Sequence, residues 1–244
     1  MSAFCKSSAR VIISSAMHAD AFLDEQGAFM RRCCRPMTGC LVLLTVLSLA
    51  SSCAVNEDQG PLFQEDFEGE SGVWGSDQWD TFDRGYEEGE YFIELREPNW
   101  FAWAYAGQKL EDVSIEVDAY LASGPQDGHF GALCRYADVG NFYYFGISSE
   151  GYYAIFRRVE GGDLEVLTGE GIGMLPSSVI KTGGEVNRIS AVCQGDELSL
   201  YVNGELLDAV TDDTHSRGDV GLGAGSGPRG GGRVRFDDFI VTRP

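Results

Sequence analysis

The residues best equipped for chemistry in this chain are its aromatic and acidic ones. Trp79, Trp100, Trp103, Tyr105 and Tyr152 are candidates to hold a sugar, and Trp74, Tyr143 and Tyr153 are of the same type. A pyranose stacks its C–H face on an aromatic ring and bonds its hydroxyls to carboxylates and amides, and this chain is rich in both partners. Trp100-Phe-Ala-Trp103 puts two indoles in one short segment, and Asp80 follows Trp79. The competing expectation for any one of these rings is that it fills a core or covers its edge. Glu116 and Asp118 are the nearest thing to a carboxylate pair, since period two on a strand puts both on one face. A solvated strand face explains that spacing more simply. No Ser-His-Asp or Cys-His arrangement is present, and the glycine-rich run 225–232 lacks the lysine and following helix of a phosphate loop.

Strands must position these residues. Ile115, Val117, Ala119 and Leu121 alternate with Glu116, Asp118 and Tyr120, and Ile189, Ala191 and Cys193 alternate with Arg188 and Ser190. Leu198, Leu200 and Val202 predict a third half-buried strand, and 142–147 and 152–156 are aromatic-rich runs of strand length. Asn203-Gly204 between apolar runs predicts a two-residue type I′ hairpin, and Glu160-Gly161-Gly162-Asp163 a weaker turn. Val220 to Ala224 and Val234 to Val241 close the chain, and only Pro176 to Ile180 looks like a helical turn. Glycine, at 32 of 244 residues against roughly 7 % in average proteins, suits a turn-rich all-β chain. One apolar and one polar face per strand requires two stacked sheets, so the expected fold is an all-β, two-sheet antiparallel jelly-roll β-sandwich.

Five segments taken together resemble the concanavalin A-like lectin/glucanase superfamily: Asp66-Phe-Glu-Gly to Trp74, Cys134 to Phe145, Asn187 to Gly204, Gly218 to Gly225, and Val234 to Val241. The resemblance covers residues 63–244 and is nearest to the 3-keto-disaccharide hydrolase domain and its laminin-G-like relatives in secreted bacterial proteins. It implies a fold that hosts binding and catalysis alike. Glucanases of this superfamily carry Glu-x-Asp-x-x-Glu, whereas Ala119 to Ala122 supply no third acid after Glu116 and Asp118. Related sugar-binding sandwiches clip the first strand to the last with calcium. The resemblance would assign that structural Ca²⁺ to Asp66, Glu68, Asp237 and Asp238, against the alternative that these acids are simply solvated.

The first 52 residues read as an address. Arg31, Arg32 and Arg35 precede a ten-residue, mostly apolar run, Leu41 to Ala50, too short to span a bilayer that needs ~20 residues. Ala50-Ser51-Ser52-Cys53 resembles the lipobox of bacterial lipoproteins, with Ala50 where such boxes usually carry leucine. This implies acylation of Cys53, a true start at Met30, a leader over 30–52, a tether over 53–62 and an extracytoplasmic, membrane-anchored chain. Cys134 and Cys193 are then left in an oxidising place. If their strands are neighbours, a disulfide would close a loop of about sixty residues, worth on the order of 4 kcal/mol. The alternative is two buried thiols.

The whole chain has 18 basic and 38 acidic residues, a net charge of −20; residues 53–244 keep 13 and 35, net −22. That excludes a nucleic-acid backbone as the main partner and favours neutral or cationic ones. A transition-metal site is disfavoured, since residues 53–244 hold no Cys-x-x-Cys and, as histidines, just His129 and His215. The expected work is therefore binding of carbohydrate or a surface polymer. The alternatives are hydrolysis of a modified glycoside and a structural or protein-interaction role in the envelope.

Overall fold

The structure is a computed structural model that describes residues 60–244. The leader over 1–52, Met30, the lipidation residue Cys53 and most of the 53–62 tether lie outside the described residues. The described residues form sixteen strands. In chain order these are β1 (Phe63–Glu65), β2 (Asp77–Gln78), β3 (Phe82–Glu87), β4 (Glu90–Leu95), β5 (Phe101–Tyr105), β6 (Val113–Ser123), β7 (His129–Asp138) and β8 (Asn141–Ile147). They continue as β9 (Tyr152–Arg158), β10 (Glu165–Val166), β11 (Leu175–Pro176), β12 (Asn187–Gln194), β13 (Glu197–Val202), β14 (Glu205–Thr211), β15 (Asp219–Gly225) and β16 (Gly232–Thr242).

Two antiparallel sheets result. The first runs β14-β13-β12-β6-β16-β4-β3-β2, with β1 beside β16, and the second runs β10-β9-β8-β7-β15-β5, with β11 beside β9. The first sheet obeys the expected alternation. Ile115, Val117, Ile189, Ala191, Leu198 and Leu200 are fully buried, while Glu116, Arg188 and Tyr201 on the reverse face meet water. From the second sheet Ala132, Phe145, Ile155 and Leu222 complete the shared core. Each fully buried aliphatic or phenyl side chain there stabilises the fold by about 1.5–3 kcal/mol. The second sheet breaks the alternation rule: Phe142, Tyr144, Ala154 and Phe156 point away from the core and are nevertheless buried. Leu164, Val166 and Met174, from the segment after β9, pack over them.

Cys134 and Cys193 are joined by a disulfide, their Cα atoms 6.9 Å apart. The strands that carry them are not paired neighbours. β7 lies in the second sheet and β12 in the first, so the bond crosses the core and ties the layers together. The expected hairpin is formed, with Asn203 at φ 53° and Gly204 at φ 86°. The Asn203 amide group also donates to the carbonyl of Val179 and to Asn187 Oδ1, both at 2.9 Å, which anchors the turn to the loop beside it. The helical turn expected at Pro176–Ile180 is absent. Leu175 and Pro176 pair with Tyr153 and Tyr152 as an edge strand, and the Ser177 hydroxyl oxygen accepts the Val179 amide at 3.2 Å in a local turn. Pairing to β9 and side-chain-to-backbone bonding outcompete a single helical turn at this site.

Candidate functional site

The outer face of the second sheet is built around β15, whose outward positions 221, 223 and 225 are all glycine. In β15 the core receives Val220, Leu222 and Ala224, so Gly221, Gly223 and Gly225 face outward. On one side they stand opposite Tyr105, Trp103 and Phe101 of β5, and on the other opposite Leu133, Gly131 and His129 of β7. A β-carbon at Gly223 would lie 2.8–3.0 Å from Phe101, Leu133 and Tyr144, and one at Gly225 would lie 2.2 Å from the His129 ring. The glycines therefore open the space into which neighbouring rings lean. Phe101 packs edge-on to Tyr144 with centroids 4.9 Å apart and stacks near His129 and Phe142 at 6.0 Å. Tyr136 continues the layer, stacked on Tyr105 at 5.1 Å.

Four of the five predicted sugar-binding rings meet at the edge of this layer. Trp79, Trp100, Trp103 and Tyr105 line one cavity of about 490 Å³, together with Phe101, Tyr136 and the Asp77–Arg84 pair. Trp79, Trp100 and Tyr105 are 59 %, 41 % and 45 % exposed, so broad aromatic surface is open to a ligand. Trp79 stacks over Phe82, and its backbone amide donates to the Phe82 carbonyl at 2.9 Å, fixing it above β3. Asn99, at φ 53°, turns the chain into β5. Trp100 is then held by Ser226, whose hydroxyl oxygen accepts the Trp100 amide at 3.0 Å and whose hydroxyl donates to the Glu97 carbonyl at 2.6 Å. Arg84 donates to the carbonyl of Trp103 and binds Asp77 at 2.5 Å, so the edge of β5 is pinned to β2 and β3.

Trp100, Phe101 and Trp103 also wall a second cavity, of about 650 Å³, whose lining includes His129, Phe156, Arg158 and Asp163. The two cavities share these three rings, and the pair of them is termed the groove along β5. His129 sits between Phe101 and Phe156 with Nδ1 3.0 Å from the Tyr144 hydroxyl. Burial holds its imidazole down at about 4, so the ring is neutral at pH 7. Burial also raises the phenols of Tyr136 and Tyr144, which remain hydroxyls able to donate and accept. Each cavity is lined by one carboxylate, Asp163 in the larger and Asp77 in the smaller.

The remaining candidates lie elsewhere. Tyr152, 41 % exposed, starts β9 beside Pro176 and lines neither cavity. Trp74 is enclosed by Phe67, Tyr91 and Phe239 in the core. The Tyr143 hydroxyl bonds Asp212 and accepts the His215 amide, and that of Tyr153 donates to the Leu207 carbonyl, so both brace loops. Glu116 and Asp118 do share a face, but it is the wet face of the first sheet, where Arg188 lies 3.0 and 3.3 Å from them. Asp66 and Asp238 border one hollow of about 360 Å³. The Glu68 carboxylate lies against Gly89, and Asp237 accepts the Asp238 amide at 2.7 Å. Among the described residues no three acidic, histidine or cysteine side chains converge where they could hold a metal ion.

No protein-family model and no curated protein sequence matches the chain. Solved structures match its shape. The carbohydrate-binding module CBM66 from Bacillus subtilis superposes with a TM-score of 0.54 at 17 % identity, over 70 % of this chain and 95 % of that one. A Bacillus subtilis protein of unknown function with a galectin-like fold gives 0.56 at 11 % identity, over 75 % and 96 %. The β-glucanase of Bacillus licheniformis gives 0.55 at 13 % identity, over 76 % and 100 %. The shared feature is the fold, and it is the concanavalin A-like jelly-roll sandwich.

Proposed function

We propose that this protein binds carbohydrate, as a lectin-like module, in the aromatic groove along β5. The observation that carries the reading is the gathering of Trp79, Trp100, Trp103 and Tyr105, three of them widely exposed, on one cavity edged by polar groups. Solitary surface aromatics are ordinary, whereas a contiguous exposed set beside fixed hydrogen-bonding groups is what a sugar face requires. The module and the glucanase with the same fold act on carbohydrate by their names, which is consistent with this use of the scaffold. Binding is favoured over hydrolysis because a two-carboxylate mechanism needs two available carboxyl groups about 5–9.5 Å apart, and of the two acids lining the groove Asp77 is taken up by Arg84, which leaves Asp163 alone. On this reading the domain works outside the cytoplasm, tethered by lipid at Cys53, a part that rests on the sequence of residues 30–53.

Retention on a glycan array and on polysaccharide gels tests the proposal. Trp79→Ala and Trp100→Ala should each weaken retention about tenfold, as expected when a stacked ring worth about 1–1.5 kcal/mol is removed. Both rings are partly exposed and neither lies in the core, so both variants should keep the folded circular dichroism spectrum, and Tyr152→Ala should bind like the unmodified protein. Retention on no glycan, or retention by both tryptophan variants equal to that of the unmodified protein, would refute it.

A further inference from the structure

The larger cavity contains an unusual arginine. Of the eleven arginines among the described residues, nine have a carboxylate within 4.0 Å, and Arg158 and the near-terminal Arg243 do not. In a chain with 38 acidic residues a carboxylate is easily found, as the adjacent Arg157 shows by binding both Glu165 and Asp212. Arg158 points to the opposite face of β9, in line with Phe156, and is held without an anion. Its Nε donates to the Gly162 carbonyl at 2.8 Å, its Nη2 to the Gly161 carbonyl at 3.4 Å, and the guanidinium lies 5.9 Å over the Phe142 ring. Nη1 has no protein acceptor among the described residues. Two backbone carbonyls and an aromatic face thus orient a half-buried guanidinium in the wall of the groove, while its charge is left uncompensated.

We infer that the groove selects a glycan with an anionic unit, a uronic or sulfated sugar, whose oxyanion is bound by Arg158 while a neighbouring unit stacks on Trp100 and Trp103. The inference rests on the carbohydrate reading of the groove and adds the ligand's charge to it. A guanidinium pre-aimed by its own turn loses little freedom on binding and presents parallel donors that match a carboxylate or sulfate edge. Neither acid lining the two cavities forms an ion pair with it. Asp77 is taken up by Arg84, and Asp163 is exposed and outside ion-pair distance of Arg158. The overall negative charge acts against anionic ligands at long range. Beyond roughly 8 Å it is screened at physiological salt, so one buried-side cation can decide a local contact.

The test is an array of matched glycans in neutral, carboxylate-bearing and sulfated forms, probed with the unmodified protein, Arg158→Gln and Arg158→Lys. The expected result is at least tenfold stronger retention of an acidic form than of its neutral counterpart, lost in Arg158→Gln and partly kept in Arg158→Lys. The ratio of acidic to neutral retention is the readout, and it should fall to about one in Arg158→Gln. The carboxylated and sulfated arms identify which oxyanion is read. Should Arg158→Gln fail to fold, the salt dependence of the unmodified protein decides: acidic glycans should be released between 50 and 500 mM salt, neutral ones retained. Retention of neutral glycans alone, or equal retention of acidic ones by Arg158→Gln, would overturn the inference and leave the binding groove standing. Retention of no glycan would remove both.

Discussion

His129 shows how closely the groove controls single side chains. Its ring replaces the side chain that Gly225 lacks, lies between Phe101 and Phe156, and is kept neutral by burial, with its affinity for a proton lowered to about 4. An unfolded chain protonates the same residue near 6.5. Between these values the unfolded state binds the extra proton, so stability falls as pH drops from about 6.5 to about 4 and no further below that. The full loss from this one group is up to about 3 kcal/mol. Urea unfolding at pH 7, 5.5 and 4 should show the decline, and His129→Gln should flatten it. A pH-independent unfolding free energy across that range would contradict the described environment. At this scale the sequence was informative about residue type and silent about company. Trp79, Trp100, Trp103 and Tyr105 could be singled out as candidates, and they line one cavity, while His129, Phe101, Tyr136 and Arg158 could not, because nothing local says which side chains will share a surface.

Among the elements, β15 explains much of that silence. Val220 to Ala224 reads as one of the closing segments, with nothing beside it to say which way its glycines face. In the folded protein it is a central strand whose bare face admits rings from β5, β7 and β8. The alternation of Gly with Val, Leu and Ala was a usable signal, since period-two glycine means one empty strand face. Strand order was not recoverable in the same way. β5 and β7 flank β15 across more than eighty residues of sequence, and only the assembled sheet shows it. Strand positions, by contrast, were legible where one face is wet, as in β6, β12 and β13, and also in β8, whose aromatic run 142–147 marks a strand although both its faces are buried. The Cys134–Cys193 bond joins the layers at β7 and β12, its ends 59 positions apart in sequence. Replacing both cysteines by alanine should lower stability by about 2–5 kcal/mol in chemical denaturation, with the strand signature of the circular dichroism spectrum preserved. A loss under 0.5 kcal/mol would show that the core alone locks the sheets.

Across the described residues as a whole, the two sheets differ in character. The first sheet has a dry inner face and a wet outer one crossed by ion pairs such as Arg188 with Glu116 and Asp118. The second is apolar on both faces, and its outer layer remains partly open as an aromatic groove along its edge strand. The tryptophans report this division directly. The chain has four, and Trp74 is 2 % exposed in the core while Trp79, Trp100 and Trp103 line the groove. The decisive measurement is therefore a titration of the ¹⁵N-labelled protein with the glycan it retains best, following the four indole N–H signals by NMR. Signals of Trp79, Trp100 and Trp103 should shift together and saturate at one concentration, with Trp74 unmoved. Saturable binding that leaves those three signals in place, or that moves Trp74 alone, would contradict a carbohydrate site along β5.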